Sequence, residues 1–393
     1  MNLPPGLSRS RARFAIGSFF FLHGFCFSSW GSRIPDLQSK LVLTETQLGT
    51  LLLFLPIGSM LSLTFASKLI SRIGSRRALQ TAMGSSSLAL LLLGSARSFH
   101  EMACFLLLYG LAGNLVNVSV NTQAVGIERI YRKQIMAHFH GLWSLAGFLG
   151  AALGALMMSQ GISPLTHFLF STAVILTGIL VQSHALLLDS GGIKTENKKT
   201  WVLPEKSLIL LGVITFCSMI CEGTMFDWSG VYFEKVVQAK EGWIGAGYAA
   251  FMSTMAGTRF LADHLKTKMG FTRVLQVCGV LIASGLSISI LLPTLVPAMI
   301  GFLLVGAGTS AVVPFTYSEA GRISRHSASS AIATISVIGF LGFLVGPPLI
   351  GWIAGATHLR VSFALMVLFG AAITLLVGTY PQPQPQPETK KDL

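Results

Sequence analysis

Charged side chains are scarce in this chain. Asp, Glu, Lys and Arg make up 11% of its 393 residues, against roughly 25% in an average soluble domain. A soluble globule of this length needs a charged shell, so that class is excluded. Disorder is excluded too, because 52% of the residues are hydrophobic. Cysteine is equally sparse: Cys26, Cys104, Cys217, Cys221 and Cys278 all lie inside apolar runs, which argues against a disulfide framework or a metal site of spaced ligands. The chain has no H-E-x-x-H, no G-x-S-x-G and no Walker A loop, so neither an enzyme nor an ATP-driven pump is expected, and no cofactor or metal. What is abundant is glycine (41) and phenylalanine (26), a composition suited to helices packed closely in lipid. The net charge of +13 would suit a nucleic-acid partner only if the basic residues shared one face. They stand instead in short clusters between apolar runs, so no nucleic acid is expected as a partner.

A helix needs about 20 apolar residues to cross a bilayer. Twelve such stretches are present, at 14–34, 46–67, 78–96, 101–124, 136–158, 164–187, 207–230, 243–262, 274–292, 295–318, 328–353 and 359–379. The expected fold class is an all-α membrane protein of twelve transmembrane helices, with the lipid bilayer as a partner. The longest interruption, 189–206, separates a six-helix unit at 1–188 from another at 207–380, and 381–393 is a polar, Pro-rich tail expected to be disordered. Of the 28 Lys and Arg, only Arg33, Lys40, Arg97, Lys235, Lys240 and Arg360 fall in the odd-numbered connections. The other 22 are assigned to the N-terminus, the even-numbered connections and the tail. That bias predicts cytoplasmic termini. A cleaved signal peptide is the rival reading of the N-terminus, but Trp30, Arg33 and Pro35 stand where small residues would be needed.

The halves repeat. Shifted by 196 residues, LISRIGSRRALQ (69–80) lies over LKTKMGFTRVLQ (265–276), Gly49 over Gly245, Gly110 over Gly306 and Gly150 over Gly346. The segment SKLISRIGSRRAL (67–79) resembles the signature between helices 2 and 3 of the major facilitator superfamily, G-x-L-a-D-r-x-G-r-r-x-x-L. Leu69, Arg72, Gly74, Arg76, Arg77 and Leu79 match, while Ser67 and Ser71 replace its Gly and Asp. The resemblance extends over nearly the whole chain. It implies two pseudo-symmetric six-helix bundles rocking about a midplane site in secondary active transport of a small molecule. HGFCFSSWGSRIP (23–35), EGTMFDW (222–228), NTQAVGIE (121–128) and HGLWS (140–144) further resemble the YbjJ-like, fucose-permease-related bacterial branch. Members of that branch are mostly assigned as permeases of sugars or other small solutes, which implies a bacterial inner-membrane protein, expected to be monomeric.

Charges within spans are costly and so point to function. Glu222 is the one charge read as clearly inside, about 22 Å along its helix at 1.5 Å per residue, and is the first candidate for a protonatable coupling or substrate-binding carboxylate. Asp227 should lie one and a half turns nearer the external mouth. His23, in the equivalent helix of the other half, could share a proton with Glu222. Asn114, Asn117 and Asn121 fall on one helix face and suit either a polyhydroxy solute or interhelical bonding. Trp30 and Trp228 are placed at outer helix ends, as an aromatic belt or as a stacking platform for a sugar ring.

The expected gating set is Arg72, Gly74, Arg76 and Arg77 of the signature, the pair Arg259 and Asp263 as a cytoplasmic latch replacing the missing acid at 71, and His140 and Glu128 at an inner gate with His138, Ser144, Gln123 and Glu319 nearby. Gly342, Gly346, Pro347, Pro348 and Gly351 resemble the glycine-proline motif of drug–proton antiporters, but in helix 11 rather than helix 5. The favoured function is proton-coupled symport of a sugar or sugar derivative. Efflux of amphipathic compounds by proton antiport is the alternative, with an intramembrane transferase or a non-transporting sensor more remote.

Overall fold

The computed structural model describes residues 1–133, 135–188, 206–323 and 328–380, without the side chains of 137, 263, 328–330 and 333. The expected linker, apart from Lys206, and the expected tail at 381–393 lie outside the described residues. The N-terminal half contains α1 (Arg9–Gly31), α2 (Ile34–Lys40), α3 (Glu45–Leu52), α4 (Phe54–Ile73), α5 (Ser75–Ser95), α6 (Phe99–Tyr131), α7 (Met136–Ser159) and α8 (Pro164–Gln182). The C-terminal half contains α9 (Lys206–Lys235), α10 (Ala246–Met269), α11 (Phe271–Leu291), α12 (Leu295–Thr309), α13 (Val312–Ile323), α14 (Ala328–Ala356) and α15 (Leu359–Gly378).

Eleven helical segments are long and apolar enough to cross a membrane, counting α1–α2, α3–α4 and α12–α13 as single crossings. The twelfth crossing is α10, whose 24 residues include Arg259, Asp263, Lys266 and Lys268 and so dilute its hydropathy. Three crossings are therefore broken, which hydropathy could not reveal. Pro35 opens α2 where its missing N–H costs nothing. A capping box of Thr44 and Gln47 starts α3.

The repeat is visible in the backbone. Gly74 joins α4 directly to α5 with φ +84° and ψ 153°, and Gly270, 196 positions later, joins α10 to α11 with φ +80° and ψ 164°. That region of backbone space is essentially restricted to glycine. It is why both copies of the loop signature keep glycine where most flanking positions differ. No atom lies within 4 Å of a Cβ built at Gly270, so the cost of Gly270→Ala is purely conformational. It should lower stability by about 1–3 kcal/mol, read as a fall in unfolding temperature in detergent.

Within each half, the closest helix pairs are α1 with α7 and α4 with α6, then α9 with α14 and α11 with α15. Glycines make this possible: a Cβ at Gly58 would strike the Leu107 carbonyl, and one at Gly285 the Gly301 carbonyl. Side chains such as Leu180, Leu291 and Leu375 stay more than 70% exposed, forming part of the lipid-facing surface of a membrane protein. The halves meet through α3 with α14, α7 with α10 and α2 with α9. At the end bearing the odd-numbered connections this seam is shut. A Cβ at Gly351 would lie 2.6 Å from Gly49 Cα, Lys235 Nζ pairs with Glu45 Oε1 at 2.7 Å, Ser39 Oγ donates to Glu234 Oε1 at 3.3 Å, and Trp352 Nε1 donates to Thr50 Oγ1 at 3.2 Å. An exposed pair such as Lys235–Glu45 contributes only about 0–1 kcal/mol, so close backbone packing dominates the closure.

Candidate functional site

A cavity of about 310 Å³ lies between the halves. The N-terminal half contributes Phe20, His23 and Phe27 from α1, Ser59 from α4, Ser86 from α5, Tyr109, Asn114 and Asn117 from α6, and His140 and Trp143 from α7. The C-terminal half contributes Met219, Glu222 and Phe226 from α9, Arg259 from α10, and Phe340 and Phe343 from α14. A pocket of this size holds a small molecule, and its few polar groups set the orientation.

Glu222 sits deep in the 30-residue α9, as its sequence position requires. Its electrostatic partner is Arg259. No ion pair closes on Glu222 among the described residues, so the two opposite charges face the same space without touching. Arg259 Nη1 donates to Ser144 Oγ at 2.9 Å and its Nε to the Ser310 carbonyl at 3.3 Å. Ser144 in turn donates to the His140 carbonyl at 3.1 Å. Arg259 therefore joins the two halves from within the cavity wall.

This corrects the expectation that Glu222 is the one charge clearly inside the spans and that Arg259 belongs to a cytoplasmic connection. Residue 259 lies inside the stretch 243–262 marked from sequence, and that alone could have flagged it. Removing it from the cytoplasmic count leaves the charge bias intact. The Asp263 side chain, its expected latch partner, is outside the described residues.

His23 is in the cavity, its ring edge-on to Trp143 at 6.5 Å. His140 is there as well, edge-on to Phe20 at 5.3 Å, rather than apart at an inner gate. Asn114 and Asn117 line the space. Buried Asn114 Nδ2 has no partner among the described residues, a donor left for a solute or water. Asn121 does not line it: its Nδ2 donates to Asn117 O at 2.8 Å and to Asn117 Oδ1 at 2.9 Å, which is bonding within the helix.

Three other expectations change. Trp30 and Trp228 are only 2% and 0% exposed, and neither lines the cavity. Trp228 Nε1 donates to the Pro347 carbonyl at 3.0 Å and Trp30 packs against Tyr109, so both are core residues rather than a belt or a platform. Asp227 is buried outside the cavity lining, with Tyr248 as its electrostatic neighbour. Glu128 Oε1 accepts from Ile135 N at 2.7 Å and Met136 N at 2.8 Å, capping the start of α7.

Nearby, Gln123 clamps Ser75 and Leu187. Glu319 accepts two hydrogen bonds from Arg322 and one from Tyr380 at 3.0 Å. Arg72, Gly74, Arg76 and Arg77 lie at the α4–α5 junction, away from the cavity lining. In α14, a Cβ at Gly342 would meet the Phe216 carbonyl and one at Gly346 would meet Ile220, so the glycine-proline run packs that helix on α9. Residues the sequence reading did not single out are the rings of Phe20, Phe27, Trp143 and Phe226. In a chain with 26 phenylalanines, spacing cannot tell a cavity ring from a core ring.

The model of the Major Facilitator Superfamily matches residues 16–340 and 242–393. The chain belongs to that superfamily. It is 31% identical to the uncharacterized transporter y4wD of Sinorhizobium fredii over 93% of this chain and 97% of the relative. It is 32% identical to an uncharacterized MFS-type transporter of Yersinia pestis over 89% and 90%, and 29% identical to membrane protein MosC of Rhizobium meliloti over 91% and 88%. Among solved structures it resembles the nucleoside transporter NupG, with TM-score 0.75, 10% identity and coverage of 94% and 100%. It also resembles a bacterial homolog of the human lysosomal transporter Spinster in an inward-facing, occupied conformation, with TM-score 0.73, 12% identity and coverage of 95% and 96%. Membership makes this an integral membrane transporter of a small molecule, built on the two-bundle fold of the superfamily.

Proposed function

We propose that this superfamily member carries a small polar solute, a sugar or sugar derivative, by proton-coupled symport. The units 1–188 and 207–380 rock about the cavity, with Glu222 as the protonatable group. The observation that carries this reading is a single cavity whose polar lining comes from both halves: His23, Asn114, Asn117 and His140 from one, Glu222 and Arg259 from the other. Rocking the halves alters the spacing of these groups, which is how alternating access couples binding to motion. The charge bias supports cytoplasmic termini in a bacterial inner membrane, and we take the working unit to be a monomer that does no covalent chemistry.

Efflux of amphipathic compounds is the second reading, favoured by the rings of Phe20, Phe27, Trp143, Phe226, Phe340 and Phe343 in the lining. Thermal stabilisation of the purified protein by a panel of sugars, sugar derivatives and hydrophobic cations separates the two. A ligand at one hundred times its dissociation constant adds about 2.7 kcal/mol of stability. We expect stabilisation by a polyhydroxy compound, reduced at least tenfold in affinity by Asn117→Ala and unchanged in selectivity by Trp228→Phe. Stabilisation by hydrophobic cations alone would establish efflux, and counterflow in proteoliposomes excludes a sensor that binds without carrying.

A further inference from the structure

We infer that the solute is a monoanion, such as a sugar acid, whose carboxylate takes the place of Glu222 as the partner of Arg259 when Glu222 receives the coupling proton. This rests on the transport reading above and specifies its substrate. Arg259 keeps its charge at any physiological pH. Embedded in the cavity wall, with only the Ser144 hydroxyl and the Ser310 carbonyl as hydrogen-bond acceptors, it needs one negative charge nearby, since an uncompensated charge in a low-dielectric site is strongly unfavourable.

Glu222 supplies that charge in the empty cavity. The other titratable groups around Glu222 are the phenols of Tyr248 and Tyr317, with which it interacts electrostatically, and the cavity groups His23, His140 and Tyr109. At pH 7.5, above the ordinary values of carboxylates and imidazole and below that of a phenol, the count is one cation and one acid. Protonating Glu222 in an empty or sugar-filled cavity would strand Arg259. Protonating it with a carboxylate beside Arg259 keeps the cavity neutral throughout.

The open space between the two charges, bounded by Asn114 and Asn117 on the opposite half, accommodates the solute. The proton enters from the outer solution with the anion and leaves to the inner one, so each cycle moves no net charge.

The test uses the full chain and compounds matched in shape but not in charge: D-glucose, D-glucosamine, D-gluconate and D-glucuronate, with a series of other hydroxy-monocarboxylates. At pH 7.5, carboxylates are expected to raise the unfolding temperature while the neutral and cationic members do not. Arg259→Gln should lower carboxylate affinity at least a hundredfold, with Arg259→Lys restoring part of it. Glu222→Gln should retain binding and lose its pH dependence. In proteoliposomes, uptake of the bound carboxylate should follow a pH gradient with no response to membrane potential.

Because the matched compounds are compared on the unaltered protein, the result survives a failure of either variant to fold. Equal or better stabilisation by glucose or glucosamine, binding that survives Arg259→Gln, or no response to any carboxylate would overturn the anion assignment. If glucose bound and accumulated under a pH gradient, the transport reading would stand without it. If a carboxylate bound but was never carried across, the anion site would stand and the transport reading would fall.

Discussion

Glu222→Gln is expected to abolish solute accumulation driven by a pH gradient while leaving solute exchange across the membrane within about threefold of the unaltered protein. A one-unit gradient is worth about 1.4 kcal/mol for one proton, or a tenfold concentration ratio. With no group to load that proton, the ratio should fall to about one. Exchange needs only rocking of the loaded carrier, and the neutral amide mimics the protonated, solute-bound state. Uptake by the unaltered protein should rise as the external pH falls, and the variant should lose that slope. Equal loss of exchange and accumulation would instead make Glu222 a binding or structural residue.

Gly351→Leu should hold the seam open at the end that carries the odd-numbered connections. A Cβ there would lie 2.5 Å from the Glu45 carbonyl and 2.6 Å from Gly49 Cα. Both are backbone atoms of α3 that cannot step aside without separating the halves. Overpacking typically costs about 1–3 kcal/mol, which shifts a two-state equilibrium by roughly 5- to 150-fold. Because the strain exists only in the closed arrangement, it translates into opening rather than unfolding. Labelling of Thr50→Cys by a membrane-impermeant maleimide, in a background with the exposed Cys104 replaced, should accelerate at least fivefold as net transport falls. Unchanged labelling with normal transport would show that this contact does not control the seam. The smaller Gly351→Ala should give the same change to a lesser degree.

Much of the fold was legible because a bilayer imposes one rule on every crossing helix: about 20 apolar residues with their backbone bonds satisfied internally. The rule identified α10 in sequence even though its basic residues dilute its hydropathy. Breaks at Ser32–Arg33, Leu53 and Ser310–Ala311 were not legible, since a kink within an apolar run leaves hydropathy unchanged. The signature glycines were read from resemblance, and the backbone supplied their cause in the positive φ of Gly74 and Gly270.

The candidate site was legible only in part. Glu222, His23, Asn114, Asn117 and His140 stand out as polar residues in apolar helices, and the structure brings all five to one cavity. Trp30, Trp228, Asp227 and Asn121 stand out by the same criterion but face elsewhere. Helix rotation, set by packing against neighbours, decides which side of a helix meets the cavity.

The sequence by itself determined the membrane class, the twelve crossings, the twofold repeat and the charge asymmetry, because each follows from local composition and from matching segments along the chain. Only the tertiary structure decided that Arg259 faces Glu222 and reaches Ser144 in the other half, that the tryptophans are core residues, and that one end of the seam is shut. Those facts depend on how residues more than a hundred positions apart are brought side by side, and apolar periodicity in a chain hydrophobic on nearly every helix face carries no record of that.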